Sequence, residues 1–180
     1  MRLAPLRLAD RARVSELLIA TAAFSSEEVA VALELFDSRR PEPFASLEGK
    51  LREGPAPEVP DYEFIGAFDG EQLIGYACFG PTPATEGTYD LYWLAVDPAA
   101  QGRGAGRTLV RAVEQELAQR GGRLLVVETS SRADYLRTRE FYARRGYAEA
   151  ARVRDFYAPA DDRIILTTRL TTREGGVATR

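Results

Sequence analysis

The sequence predicts an α+β fold, on three observations. Two β-rich runs, residues 63–68 and 73–79, flank Asp69 and Gly70, whose readiness to take positive φ suits a tight antiparallel hairpin. A strand over 89–96 passes through a glycine cluster into an amphipathic helix, and two further β-rich runs, 147–156 and 163–170, close the chain after a last helix.

The remaining elements follow in order. Residues 2–8 read as a short strand, and Asp10 then stands at an N-cap position ahead of Val14, Leu17 and Leu18 at helical spacing, in a helix that ends near Thr21. Ser25 and Glu28 have capping-box spacing before Val29, Leu33 and Phe36, and Arg39 with Arg40 closes this second helix. Residues 41–60, rich in proline and charge, read as a long surface connection. After turn-forming residues 80–87, the strand 89–96 is ended by Asp97 and Pro98, since proline cannot donate to a ladder. Leu109, Val110, Val113 and Leu117 recur as one helix face, Glu116 and Arg120 pair at i to i+4, and Gly121 with Gly122 stops the helix. Residues 124–127 are a continuous apolar run suited to a central strand, whose polar end, 128–131, brings side chains to the surface. The last helix carries Phe141 and Tyr142 and is terminated by Gly146.

Composition bounds the function. A chain of 180 residues that is 45% hydrophobic and 28% charged fits one globular domain, assigned here to 1–170 with a flexible tail over 171–180. A net charge of −3 argues against nucleic acid as the partner. One cysteine, Cys78, excludes an internal disulfide, and with no histidine no transition-metal site is expected. Arg2, Arg7, Asp10, Arg11 and Arg13 interrupt any signal-like stretch, and no apolar run approaches a membrane span, so a cytoplasmic protein without a membrane partner, monomer or homodimer, is expected.

Glycine carries an entropic cost, so Gly102, Gly104 and Gly106 packed at alternate positions before a helix need a local reason. A glycine-rich turn feeding a helix start exposes backbone N–H groups that converge on an anion, aided by the helix dipole. A dinucleotide fingerprint starting at Gly102 would need glycine at Arg107, and a P-loop would need a lysine that this segment lacks. The plain alternative is a flexible connection, but the flanking Gln101, Arg103 and Arg107 suit anionic company.

The run Gln101-Gly102-Arg103-Gly104-Ala105-Gly106 fits Q/R-x-x-G-x-G/A, and so resembles the signature of the GNAT family of N-acetyltransferases. The preceding strand, the following helix and the later Phe141-Tyr142-Ala143-Arg144-Arg145-Gly146-Tyr147 resemble that family in order and spacing, over about residues 64–170. The C-terminal part, including Arg154-Asp155-Phe156-Tyr157, is similar to bacterial ribosomal-protein alanine acetyltransferases. The resemblance implies a three-layer α/β/α acyltransferase fold around a mixed, mostly antiparallel sheet of about seven strands, with about four helices. It also implies acetyl-CoA as acetyl donor and no metal. The pyrophosphate would lie on the N–H groups of Gly102, Arg103, Gly104, Ala105, Gly106 and Arg107, flanked by Gln101, with the pantetheine arm paired against Leu94, Ala95 and Val96.

The chemistry implied is acetyl transfer to a primary amine by direct attack in a ternary complex. An alkylammonium with a pKa of about 10 needs a base, and a thiolate of pKa about 8.5 leaves more easily with a proton donor nearby. The resemblance gives the donor as Tyr142, four residues before Gly146; core packing is the plain alternative. Two carboxylates compete as base. Glu128, after four apolar residues, is ranked first because partial burial would raise its pKa; Asp90, on the strand before the signature, is second. A backbone N–H of Leu94 or Ala95 would serve the oxyanion. Relatives often carry Ser-Asn where Ser130 and Ser131 stand, which leaves Thr129 and Ser131 as weak cofactor contacts. Tyr92, Trp93, Asp155 and Tyr157 are the expected acceptor lining, aromatic and acidic. That lining leaves open peptide N-termini, free amino acids, polyamines and aminated antibiotics. A non-catalytic acetyl-CoA-binding or regulatory module of the same fold is the alternative reading.

Overall fold

The computed structural model describes residues 1–38 and 62–171. The expected connection over 41–60, the helix-closing Arg39 and Arg40, and the tail beyond Thr171 lie outside the described residues.

Seven strands and four α-helices are found among the described residues: β1 (Arg2–Pro5), α1 (Arg11–Ala20), α2 (Ser26–Ser38), β2 (Glu63–Asp69), β3 (Gln72–Pro81), β4 (Thr88–Val96), α3 (Ala105–Gln119), β5 (Leu124–Ser130), α4 (Leu136–Ala143), β6 (Ala148–Ala158) and β7 (Asp161–Arg169). The strands form a mixed sheet in the order β1-β2-β3-β4-β5-β7-β6. The chain divides into two compact units, Met1–Pro81 with Leu91–Val113 and Thr82–Asp90 with Glu114–Arg180.

In the first unit β1 and β3 flank β2, both antiparallel to it. The hairpin turn falls on Gly70 and Glu71, because Asp69 still pairs with Gln72, one residue later than the sequence suggests. A bulge between Ala67 and Phe68 shifts the register, so Ala67 faces Gly75 while Phe68 faces Leu73. One face of these strands packs on Val14, Leu17 and Leu18 of α1 and Ala32 and Phe36 of α2. Phe36 meets Phe64 edge to face with ring centroids 5.1 Å apart. The capping box at the start of α2 forms as its spacing predicts: Glu28 N donates to Ser25 Oγ (3.2 Å) and Ser25 N donates to Glu28 Oε2 (2.7 Å). Asp10 stands at the N-cap of α1, but its side chain bonds no α1 amide. Its carboxylate accepts from Arg7 N at 2.6 Å, holding a 3₁₀ turn over Leu8–Asp10 that ends β1 at Pro5 rather than at Leu8.

In the second unit β7 lies between β5 and β6, antiparallel to each. Leu125 and Val127 of β5 are buried. On α3 the expected face, Leu109, Val110, Val113 and Leu117, is fully buried, each such side chain contributing about 1.5–3 kcal/mol of transfer free energy. The helix closes with Gly121 N donating to Ala118 O and Gly122 N to Leu117 O, a paired glycine stop.

Candidate active site

The glycine turn lies in the first unit. Gly102 (φ 75°) and Gly104 (φ 90°) take the left-handed backbone that side-chain-bearing residues avoid, and this reverses the chain between the 3₁₀ turn Pro98–Ala100 and α3. Thr108 N donates to Gly104 O at 3.0 Å, so Gly104 is the N-cap of α3. A Cβ at Gly102 would meet nothing within 4 Å, so the turn is open there. Behind it, Asp97 N donates to Ile74 O at 2.9 Å, and Asp97 Oδ1 accepts from Ala99 N at 2.9 Å. Arg13 of α1 binds Asp97 Oδ2 and donates from Nε to Leu73 O at 3.0 Å, so α1, β3 and the base of the turn are clamped together. The Ala99 amide, with the Arg13 guanidinium beside it, holds the Asp97 carboxyl below its ordinary value.

The polar side chains around the turn have local partners. Gln101 Nε2 donates to Val96 O at 3.3 Å, so its amide lies along the end of β4. Arg103 pairs with Asp69 of the β2–β3 hairpin at 2.7 Å, both exposed. Arg107 is exposed on the first turn of α3. Leu94 and Val96 are partly buried and Ala95 is buried. Tyr92 and Trp93 pack against the cluster under α1 and α2, and Tyr92 meets Tyr62 edge to face at 5.1 Å.

Tyr142, in the second unit, is 2% exposed. Its ring meets Phe141 and Tyr147 edge to face, at 5.1 Å in each case. Burial pushes its phenol above the ordinary value; Glu114 adds to this and Arg145 opposes it. Tyr147, which no catalytic motif marks, donates from its hydroxyl to Glu114 Oε1 at 2.8 Å.

Of the two carboxylates, Glu128 is placed differently from expectation. Glu128 is exposed, not partly buried, and ion-pairs with Arg163. The reason is the pleat: Val127 turns into the core, and its neighbour Glu128 turns to the other face. Arg163 is held from its other side by the Phe156 ring, 4.8 Å away. Asp90 is partly buried and accepts from Thr82 Oγ1 at 2.6 Å. Thr129 is buried and its Oγ1 has no hydrogen-bond partner, an orphan that a ligand would satisfy. Ser131 is committed elsewhere, since Oγ accepts from Asp162 N at 2.8 Å and its amide donates to Asp162 O at 2.9 Å. Asp155, at φ 51°, caps its own hairpin by accepting from Ala160 N at 2.7 Å, while Tyr157 is exposed beside Phe156.

Among the contacts that escaped sequence reasoning are Arg13 with Asp97, Ser130 with the buried Asp161, Arg163 with Glu128, and Tyr147 with Glu114. The first three join residues far apart in sequence with no local signal. For the fourth, Gly146 followed by an aromatic residue is a helix-end signature that points Tyr147 back at the helix. No group of three or more His, Cys, Asp or Glu side chains among the described residues is arranged to hold a metal ion.

Seven strands in one mixed sheet with four α-helices, and a left-handed glycine turn opening the helix between β4 and β5, define the class as α+β. The family model "Acetyltransferase (GNAT) family" matches residues 30–147, and the chain belongs to this family. It is 40% identical over 77 residues to the N-alpha-acetyltransferase RimI of Mycobacterium tuberculosis, a match covering 41% of this chain and 47% of that protein. The chain spans less than half the length of the curated relatives it matches. Among solved structures, a GNAT-family protein of Desulfovibrio desulfuricans is 37% identical with a TM-score of 0.79, covering 94% of this chain and 99% of that one. The ribosomal-protein-S18-alanine N-acetyltransferase of Escherichia coli shares the fold at 21% identity and a TM-score of 0.67, covering 99% and 98% of the two chains.

Proposed function

We propose that the chain is an acetyl-CoA-dependent N-acetyltransferase whose acceptor is a primary amine, acting as one domain over 1–170 in the cytoplasm. The observation that carries the reading is the open glycine turn, with Gly102 and Gly104 left-handed at the mouth of α3. Family membership and the orphan hydroxyl of Thr129 support it.

Acetyl-CoA, when bound, supplies an activated thioester. The first-turn amides of α3, with those of Gly102 and Arg103, bind its pyrophosphate, and Arg107 adds charge. Arg103 exchanges Asp69 for phosphate, which costs little because an exposed ion pair is worth about 0–1 kcal/mol. The strand end at Leu94, Ala95 and Val96 offers backbone pairing for the pantetheine arm, and a Leu94 or Ala95 N–H serves the oxygen that gains charge. Tyr142 donates to the leaving sulfur. Its raised proton affinity means the phenol stays protonated across physiological pH, so it acts by hydrogen bonding to the thiolate more than by full transfer.

Glu128 takes the ammonium proton through water from its exposed position, with Arg163 orienting the carboxylate. Asp90 is the second candidate. Tyr92, Trp93 and Tyr157 contact the acceptor, a peptide N-terminus or a small amine. The molecule acts on that acceptor as monomer or homodimer, without nucleic acid or membrane.

The test is thiol release from acetyl-CoA mixed with an N-terminal-alanine peptide, a free amino acid, a polyamine and an aminoglycoside, with Tyr142→Phe as control. Release with at least one amine is expected. Silence with all of them would favour the binding-module reading. For the base, pH–rate profiles of Glu128→Gln and Asp90→Asn are compared, and the variant that keeps the acidic limb does not remove the base.

A further inference from the structure

The end of α4 is built so that Tyr147 folds back on Tyr142. Gly146, at φ 86°, turns the chain; Gly146 N then donates to Ala143 O at 3.0 Å and Tyr147 N to Tyr142 O at 3.2 Å. These are the two bonds of a glycine-terminated Schellman cap, and the side-chain contact that accompanies such a cap is here the Tyr142–Tyr147 ring pair at 5.1 Å. In most helix ends that contact is only apolar. Here Tyr147 is 5% exposed and its hydroxyl is tied to Glu114 Oε1 of α3 at 2.8 Å. A phenol needs a partner when buried, and Glu114 is a charged acceptor that fixes the ring in both tilt and depth. Tyr142 is therefore held by Phe141 of its own helix and by a second tyrosine anchored to another helix.

We propose that Glu114, acting through the hydroxyl of Tyr147, is a positioning residue for Tyr142. The inference rests on the reading of Tyr142 as the group that hydrogen-bonds the coenzyme A sulfur. The charged groups facing this pair are Glu114 from α3 and Arg145 from the end of α4, and they act on the Tyr142 phenol in opposite directions. Tyr147 carries no proton to substrate. Its hydroxyl is already donated to the carboxylate, so its part is to keep the Tyr142 ring from rotating away from its line to the sulfur.

The experiment is free of any acceptor. The thiol of bound coenzyme A is titrated by thiolate ultraviolet absorbance in the full-length protein and its variants, with affinity measured in parallel. Tyr142→Phe removes the donor and raises the ionisation midpoint by about one pH unit, as expected for one hydrogen bond to a charged acceptor. Tyr147→Phe and Glu114→Ala raise it by roughly half a unit, because the donor is loosened rather than lost. Glu114→Gln, which keeps an acceptor for the Tyr147 hydroxyl, restores the original midpoint. Added to Tyr142→Phe, Tyr147→Phe has no further effect. Coenzyme A affinity stays within about twofold throughout.

If Tyr142→Phe leaves the midpoint in place, the reading of Tyr142 itself fails. If it moves the midpoint while Tyr147→Phe and Glu114→Ala do not, or if the double variant is additive, the positioning role of Glu114 and Tyr147 is overturned and that of Tyr142 stands. Should Tyr147→Phe fail to fold, Glu114→Ala, a change at a partly exposed helix position, carries the same test.

Discussion

Tyr142 is a core side chain, and in the proposed mechanism it is also the proton donor. At 2% exposure with two aromatic neighbours it satisfies the packing explanation of its position, yet its burial also fixes its protonation state. A phenol kept protonated well past neutral pH is a steady donor, and replacing it with phenylalanine removes the hydroxyl without opening a cavity. We expect Tyr142→Phe to lower turnover by about 10²-fold with near-normal coenzyme A affinity, as read by steady-state kinetics beside calorimetric titration. An equal loss of affinity would instead assign Tyr142 to cofactor binding. Cys78 is the contrasting case. It is buried, desolvation raises its thiol, and no role is assigned to it, so it should resist alkylation in the folded protein and react on unfolding, as mass spectrometry would record.

At the level of elements, most of the framework was legible in local pattern, because the signals are short-range. The capping box at Ser25 and Glu28, the buried stripe of α3, the glycine stops after α3 and α4, and the hairpin at Gly70 are each specified within a few residues. What the pattern missed depends on partners far along the chain. The bulge at Ala67 shifts register against Gly75, and Glu128 meets Arg163 only because β5 pairs with β7, in a register that sets Arg163 opposite Ser130, diagonal to Glu128. The expectation of a partly buried glutamate came from the four apolar residues before it, and alternation along the strand overrides that. The glycine ending α4 gives a prediction at this scale. A Cβ at Gly146 would touch nothing within 4 Å, so Gly146→Ala should cost only the left-handed backbone strain, about 1 kcal/mol in denaturant unfolding. A cost several times larger would mean that the cap carries more than local strain.

For the whole molecule, the clamp of Arg13 on Asp97 joins the core to the glycine turn and links stability to pH. The Asp97 carboxyl lies below its ordinary value in the fold, so its contribution is present above the unfolded value of about 3.9 and is lost as pH falls through the folded one. Asp97→Asn should therefore lower Tm at neutral pH and bring the variant and wild-type curves together as pH falls below about 3.9. Parallel curves would remove Asp97 from the acid response. The family and its fold follow from the glycine turn and what surrounds it, whereas the acceptor does not, because the residues expected to line its site have local duties: Asp155 caps its own hairpin, and Tyr92 packs against the core. The account rests on backbone amides at the start of α3 gripping a diphosphate. Calorimetric titration of coenzyme A into the Gly104→Glu variant tests this most directly, since the substitution sets a carboxylate against the phosphates. An affinity loss of about 100-fold or more, in a protein whose circular dichroism is unchanged, is the predicted result. An affinity equal to that of the unsubstituted protein would contradict the account.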